Sequence, residues 1–138
     1  MGNQSAPVSS ACALSLKLLP GRLAVCRLGP DSPFPGWASG AVTSLTRTPD
    51  ELSVVCAEDA VPDGVRAERG FRCLAVAGPL SFAAIGVIAS LSSVLAEAGV
   101  SLFVLSTFDT DLLLVRQAFL TQAAAALRAA GHEVTGLS

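Results

Sequence analysis

Short apolar runs broken by turn residues fill the first half of the chain, and runs with helical periodicity appear only in the second. Leu14–Leu19 and Leu23–Leu28 read as strands separated by the Pro20-Gly21 turn. Pro30, Pro33 and Pro35 then fall within six residues, which rules out both a ladder and a helix. Gly29–Trp37 is therefore predicted to be a loop, anchored by the only tryptophan of the chain. Val42–Thr46 and Leu52–Ala57 are β-branched-rich runs joined by Arg47-Thr48-Pro49-Asp50, which predicts a hairpin. Residues 59–70, with Pro62, Gly64 and several charges, predict a second loop.

From residue 71 the pattern changes. Phe71–Ala77 predicts a strand ending at Gly78-Pro79, and Ser81 is placed to cap a helix running to about Ala98. In that helix Ala84, Val87, Ile88, Leu91, Val94, Leu95 and Ala98 share one face at a 3.6-residue period. Gly86, Ser90, Ser93 and Glu97 fall on the other face, and Gly99 closes the helix. Val100–Phe108 predicts a strand, Asp109-Thr110-Asp111 a tight turn, and Leu112–Arg116 a returning strand. Ala118–Ala130 predicts a second helix closed by Gly131, and Glu133–Leu137 a last strand. The order β-α-β-β-α-β is that of a ferredoxin-like unit, an α+β fold with antiparallel sheet and helices on one face. The first half places strands at matching points without convincing helices, so it reads as a shortened companion. The expected division is a disordered tail over 1–13, a shortened unit over 14–70 and a complete unit over 71–138.

Composition narrows the functional classes. Of the 138 residues 51% are apolar and 14% charged, with a mean hydropathy of +0.60. That excludes a disordered chain and exceeds what a monomer of this size buries, so a homo-oligomer, most simply a dimer, is expected. A net charge of −2 with scattered basic residues argues against nucleic acid. No apolar run reaches 18 residues uninterrupted, and MGNQSAPVSSACALSL lacks the basic start of a signal peptide, so no membrane association and a cytoplasmic location are expected. Cys12, Cys26, Cys56 and Cys73 show no C-x-x-C spacing, and three of them sit in strand-like runs, as buried free thiols do. Catalysis finds no support. His132 is the only histidine, it has no nucleophile or metal-ligand partner at a recognisable spacing, and no Gly-rich phosphate loop occurs. No enzyme activity, metal or cofactor is expected.

Two segments are specific enough to suggest a family. One is Pro35-Gly36-Trp37 followed by the run from Thr43 to Val55, containing S-L-T-R-T. The other is Ile85-Gly86-Val87-Ile88 followed by the run from Val100 to Val115, containing S-T-F-D-T-D-L-L-L-V. Together they resemble bacterial proteins of two ACT domains related to the CASTOR-type arginine sensors, over residues 14–133. The resemblance implies a complete C-terminal ACT unit and a shortened N-terminal one, with an amino acid bound between them. Carried over by position, Ser44 and Leu45 would offer strand backbone, Gly86 would let the chain approach near a helix start, and Thr107, Phe108 and Asp111 would line the other wall. Elementary chemistry agrees. Free N–H groups at a helix N-terminus suit a carboxylate, an aspartate suits an ammonium, and a missing Cβ allows close approach. The arginine-sensing relatives carry an acid just before the helix glycine. Here that stretch is Ala83-Ala84-Ile85, so a smaller or apolar amino acid fits better. Each residue also has a plainer reading. Asp111 is a common turn type, Phe108 would serve the core as readily, and His132 suits a helix C-terminus. The function read here is an amino-acid-binding regulatory protein, the alternative being a structural or oligomerisation ACT module with no ligand.

Overall fold

The computed structural model describes residues 13–77 and 86–137, so the expected tail over 1–13 lies, save Ala13, outside the described residues. In chain order the elements are β1 (Ser15–Leu18), β2 (Leu23–Leu28), β3 (Ser44–Arg47), β4 (Leu52–Ala57), β5 (Arg66–Val76), α1 (Val87–Glu97), β6 (Phe103–Ser106), β7 (Asp111–Arg116), α2 (Leu120–Ala129) and β8 (Glu133–Thr135). They form two compact units, residues 20–72 and residues 1–19 with 73–138.

The second of these carries the expected β-α-β-β-α-β order from the end of β5 to β8. Its sheet has one added strand. β1 runs antiparallel to β5, with Leu16 opposite Val76 and Leu18 opposite Leu74, and parallel to β8, with Leu16 opposite Val134. β7 pairs with both β5 and β6. The two compact units meet in sequence at 19/20 and 72/73, and the Leu16/Leu18 strand lies between β5 and β8. Only alternate residues of β1 are buried, so its period-2 pattern was legible while its partner was not.

The helices pack their apolar stripes on this sheet. Leu91 and Leu95 of α1 and Leu120, Ala123, Ala124 and Leu127 of α2 join Leu16, Leu74, Val76, Leu113, Val115 and Val134 in one core. Val87, Ile88, Val94 and Ala98 pack at its margin, so the predicted α1 face is the buried one; Ala84 and the Ser81 cap lie outside the described residues. Each fully buried leucine contributes roughly 1.5–3 kcal/mol. Gly99 closes α1 with φ +76°, and Val100 N–H bonds back to Leu95 O at 2.9 Å.

The unit of residues 20–72 is all strand, in the order β3-β4-β2-β5, with a single 3-10 turn at Glu58–Ala60. The β3–β4 hairpin closes where expected: Thr48 N–H bonds Glu51 O at 2.9 Å, and the Thr48 hydroxyl accepts from the N–H groups of Asp50 and Glu51. Ala24, Cys26, Leu52, Val54, Cys56 and Val61 form the core, and Trp37 packs against it from the loop. The loop expected over 59–70 is shorter, because β5 begins at Arg66. Arg66 and Ala67 face Arg27 and Cys26 on β2, and those ladder bonds hold a charged, weakly apolar segment extended.

Candidate functional site

At residues 103–116 the structure redraws the predicted strand and turn. β6 stops at Ser106, and Asp111 is the first residue of β7, opposite Ser106, not part of the turn. The Ser106 hydroxyl donates to Asp111 Oδ1 at 2.6 Å. Between them, Thr107 N–H and its hydroxyl both donate to Thr110 O, at 2.8 and 3.0 Å, and Thr110 N–H donates to Thr107 Oγ1 at 3.1 Å. The Thr110 hydroxyl donates to Val76 O at 2.6 Å. Val76 ends β5, so that bond fixes the turn at the end of the sheet where the chain departs for α1. Phe108 sits at the tip, 80% exposed, which removes the core-packing reading. Asp109 is exposed beside it.

Gly86 was expected inside a helix beginning at Ser81. It stands instead immediately before Val87, with φ +82°, and receives the first helical bond, Ser90 N–H to Gly86 O at 2.8 Å. The left-handed conformation, which residues with a Cβ adopt only with strain, accounts for a glycine here. Gly86 offers no side-chain cap, and no side chain among the described residues caps this end. The N–H groups of Val87, Ile88 and Ala89 thus have no acceptor within the helix, and they carry the positive end of its dipole. One turn on, Ser90 is buried and its hydroxyl has no hydrogen-bond partner among the described residues. Ser90 was placed on the polar face; sequence pattern had no means of showing that this position is enclosed.

Ser44 and Leu45 belong to the unit of residues 20–72, on β3, which among the described residues pairs only with β4. Ser44 is half-buried and Leu45 exposed. In the other unit His132, just past the end of α2, is buried. Its Nδ1 accepts from Leu14 N–H at 3.1 Å, so the neutral ring carries its proton on Nε2. His132 therefore pins the start of β1.

The thiols of Cys26, Cys56 and Cys73 are free and buried. Burial pushes Cys73 up to about 11 and, aided by the neighbouring Cys56, pushes Cys26 up to about 11; Cys56 is raised mainly by burial as well. All three stay protonated at neutral pH, and a protonated thiol is a poor nucleophile. Among the described residues no group of three or more His, Cys, Asp or Glu side chains could hold a metal ion. No helix among them is long and apolar enough to cross a membrane.

The β-α-β-β-α-β order of this unit is that of an ACT-type fold, and comparison with known proteins agrees. The ACT domain model matches residues 66–129, and a second model, describing an N-terminal domain, matches residues 21–64. A protein of Agobacterium tumefaciens solved by X-ray crystallography is 41% identical, with a TM-score of 0.85 over 90% of this chain and 93% of that one. A Vibrio cholerae protein of unknown function, described as a possible transport protein, is 22% identical, with a TM-score of 0.70 over 86% of this chain and 90% of that one. The aspartate kinase of Synechocystis is 17% identical, with a TM-score of 0.64 over all of this chain and 30% of the kinase. No curated protein matches significantly. The chain belongs to the family of the Agobacterium protein and carries an ACT domain, which points to a regulatory rather than a catalytic role.

Proposed function

We propose that this protein is a cytoplasmic amino-acid sensor: a regulatory module that binds a small amino acid and transmits occupancy through shape or partner affinity. Two features of opposite polarity in the unit that carries the ACT fold support the reading. The start of α1 behind Gly86, uncapped among the described residues, offers N–H groups to a carboxylate. Asp111, half-buried and bonded through Oδ1 to Ser106, has Oδ2 for an ammonium. Thr107 and Phe108 form the turn alongside. Ser44 and Leu45 lie in the other compact unit, on β3, whose outward N–H and C=O groups have no ladder partner among the described residues. A small, neutral ligand suits a site whose one acid is matched by the ammonium itself. The apolar surplus supports a homodimer, which light scattering tests: a clean 14 kDa species at micromolar concentration contradicts it.

A melting-temperature screen against the twenty amino acids tests the reading. Ligand at a hundred times its Kd adds roughly 2.7 kcal/mol, a rise of several degrees for a domain of this size. A flat response across all twenty favours the structural alternative, in which the Ser106–Asp111 bond only ties two strand ends together.

A further inference from the structure

We propose that the open sheet face of the unit of residues 20–72 binds a small oxyanion, a carboxylate or phosphate group, through Arg27 and Arg66. This site shares no residue with the amino-acid site and does not rest on it. The strand register makes a single row across four strands. Thr46 lies opposite Ser53, Ser53 opposite Arg27, and Arg27 opposite Arg66. Residues directly opposite in antiparallel strands project from the same face with Cβ atoms about 4.5–5.5 Å apart. Arg27, Ser53 and Arg66 therefore share one face and line a common cavity of about 200 Å³ together with Glu51 and Glu68.

Like charges directly opposite destabilise a sheet, and both arginines are exposed, so nothing in the core requires them. Neither is in an ion pair among the described residues. Arg27 donates one N–H to the backbone carbonyl of Asp50, at 2.9 Å. Each guanidinium carries five donors in a planar fork suited to carboxylate and phosphate oxygens. An oxyanion held in the shared cavity replaces solvent on these donors and offsets the repulsion between the two cations. Glu51 and Glu68 at the margin add negative potential, which weighs against a dianion, so a carboxylate should bind more tightly than phosphate. The cavity is smaller than a typical drug-sized pocket, which fits a small metabolite.

Two-dimensional amide NMR at constant ionic strength, with sodium acetate and inorganic phosphate as separate probes, tests this. Saturable shifts at Arg27, Ser53 and Arg66 are expected, with acetate ahead of phosphate. Arg27→Gln and Arg66→Gln should each weaken binding at least tenfold, and Lys17→Gln, on β1, should leave it unchanged. Without anion, the melting temperature of either Arg variant should hold or rise, because a like-charge contact is lost. Saturation by either probe that disappears in both variants supports the proposal, and the order of the two probes names the source of the oxyanion. Shifts that grow linearly without saturating, or that persist in the variants, overturn it, as does a fall in melting temperature with the titration intact.

Discussion

Gly40→Ala should be among the most damaging single-methyl changes in this chain. Gly40 has φ +125°, a region L-residues rarely enter, and a Cβ built there would lie 2.7 Å from Ala57 Cβ and 3.0 Å from Ala57 N. Those atoms belong to the end of β4 and cannot swing aside. Ala57 N–H donates to Ser39 O at 2.8 Å, the bond that ties the Trp37 loop to the strand. Three costs add. The backbone conformation costs about 1–3 kcal/mol, overpacking about 1–3 kcal/mol, and a weakened Ser39–Ala57 bond about 0.5–1.5 kcal/mol. A loss of about 3–5 kcal/mol is expected, with partial relaxation holding the total below the sum of maxima. Two companions separate the causes. Gly64 has φ +87° but open space around its Cβ, so Gly64→Ala should cost about 1–2 kcal/mol. Gly36 has neither constraint, so Gly36→Ala should be neutral or slightly stabilising. Urea unfolding followed by the single tryptophan, Trp37, measures all three, provided the slope with denaturant is unchanged. If Gly40→Ala costs no more than Gly64→Ala, the close approach to Ala57 is absent and the description of this loop is wrong.

Alkaline pH should destabilise the fold. Cys73 is raised to about 11 by burial, so its contribution is fully present below the unfolded thiol value of 9.0 and is lost as pH rises through 11. At about 1.4 kcal/mol per pH unit, Cys73 alone removes on the order of 2–3 kcal/mol between those limits. Cys73→Ala should flatten that part of the stability profile measured by urea unfolding. Leu127→Ala, at a fully buried position of α2, should cost about 2–5 kcal/mol in the same assay.

How much was legible follows from what periodicity reports. The α1 stripe, the β3–β4 hairpin and the order from β5 to β8 were readable because each is a local pattern of burial or turn chemistry. The neighbours of β1 were not, since Leu16 and Leu18 alternate in the same way whichever strand they pair with. His132 looked like a helix-end residue because the Leu14 N–H it accepts from is 118 residues distant in sequence. The same limit applies to the candidate site. Asp111 read as a turn residue, and its place in the ladder opposite Ser106 was not legible because it depends on where Thr107 and Thr110 close the loop. Gly86 needed a reason inside a helix; its left-handed φ supplies one, and the helix begins after it.

Calorimetry on Asp111→Asn, using the amino acid that raises the melting temperature most, tests the sensor reading most directly. Asn keeps the shape and can still accept from the Ser106 hydroxyl, so the ligand-free melting temperature should barely move. Losing one partner of a buried, hydrogen-bonded charge pair costs 2–5 kcal/mol or more, and Asp111 is only half-buried, so the lower part of that range applies. Affinity should therefore fall on the order of a hundredfold. Asp109→Asn, exposed two residues away, should bind as the unmodified protein does. Unchanged affinity in Asp111→Asn would contradict the account, leaving the aspartate as a strand-end tie and the site elsewhere.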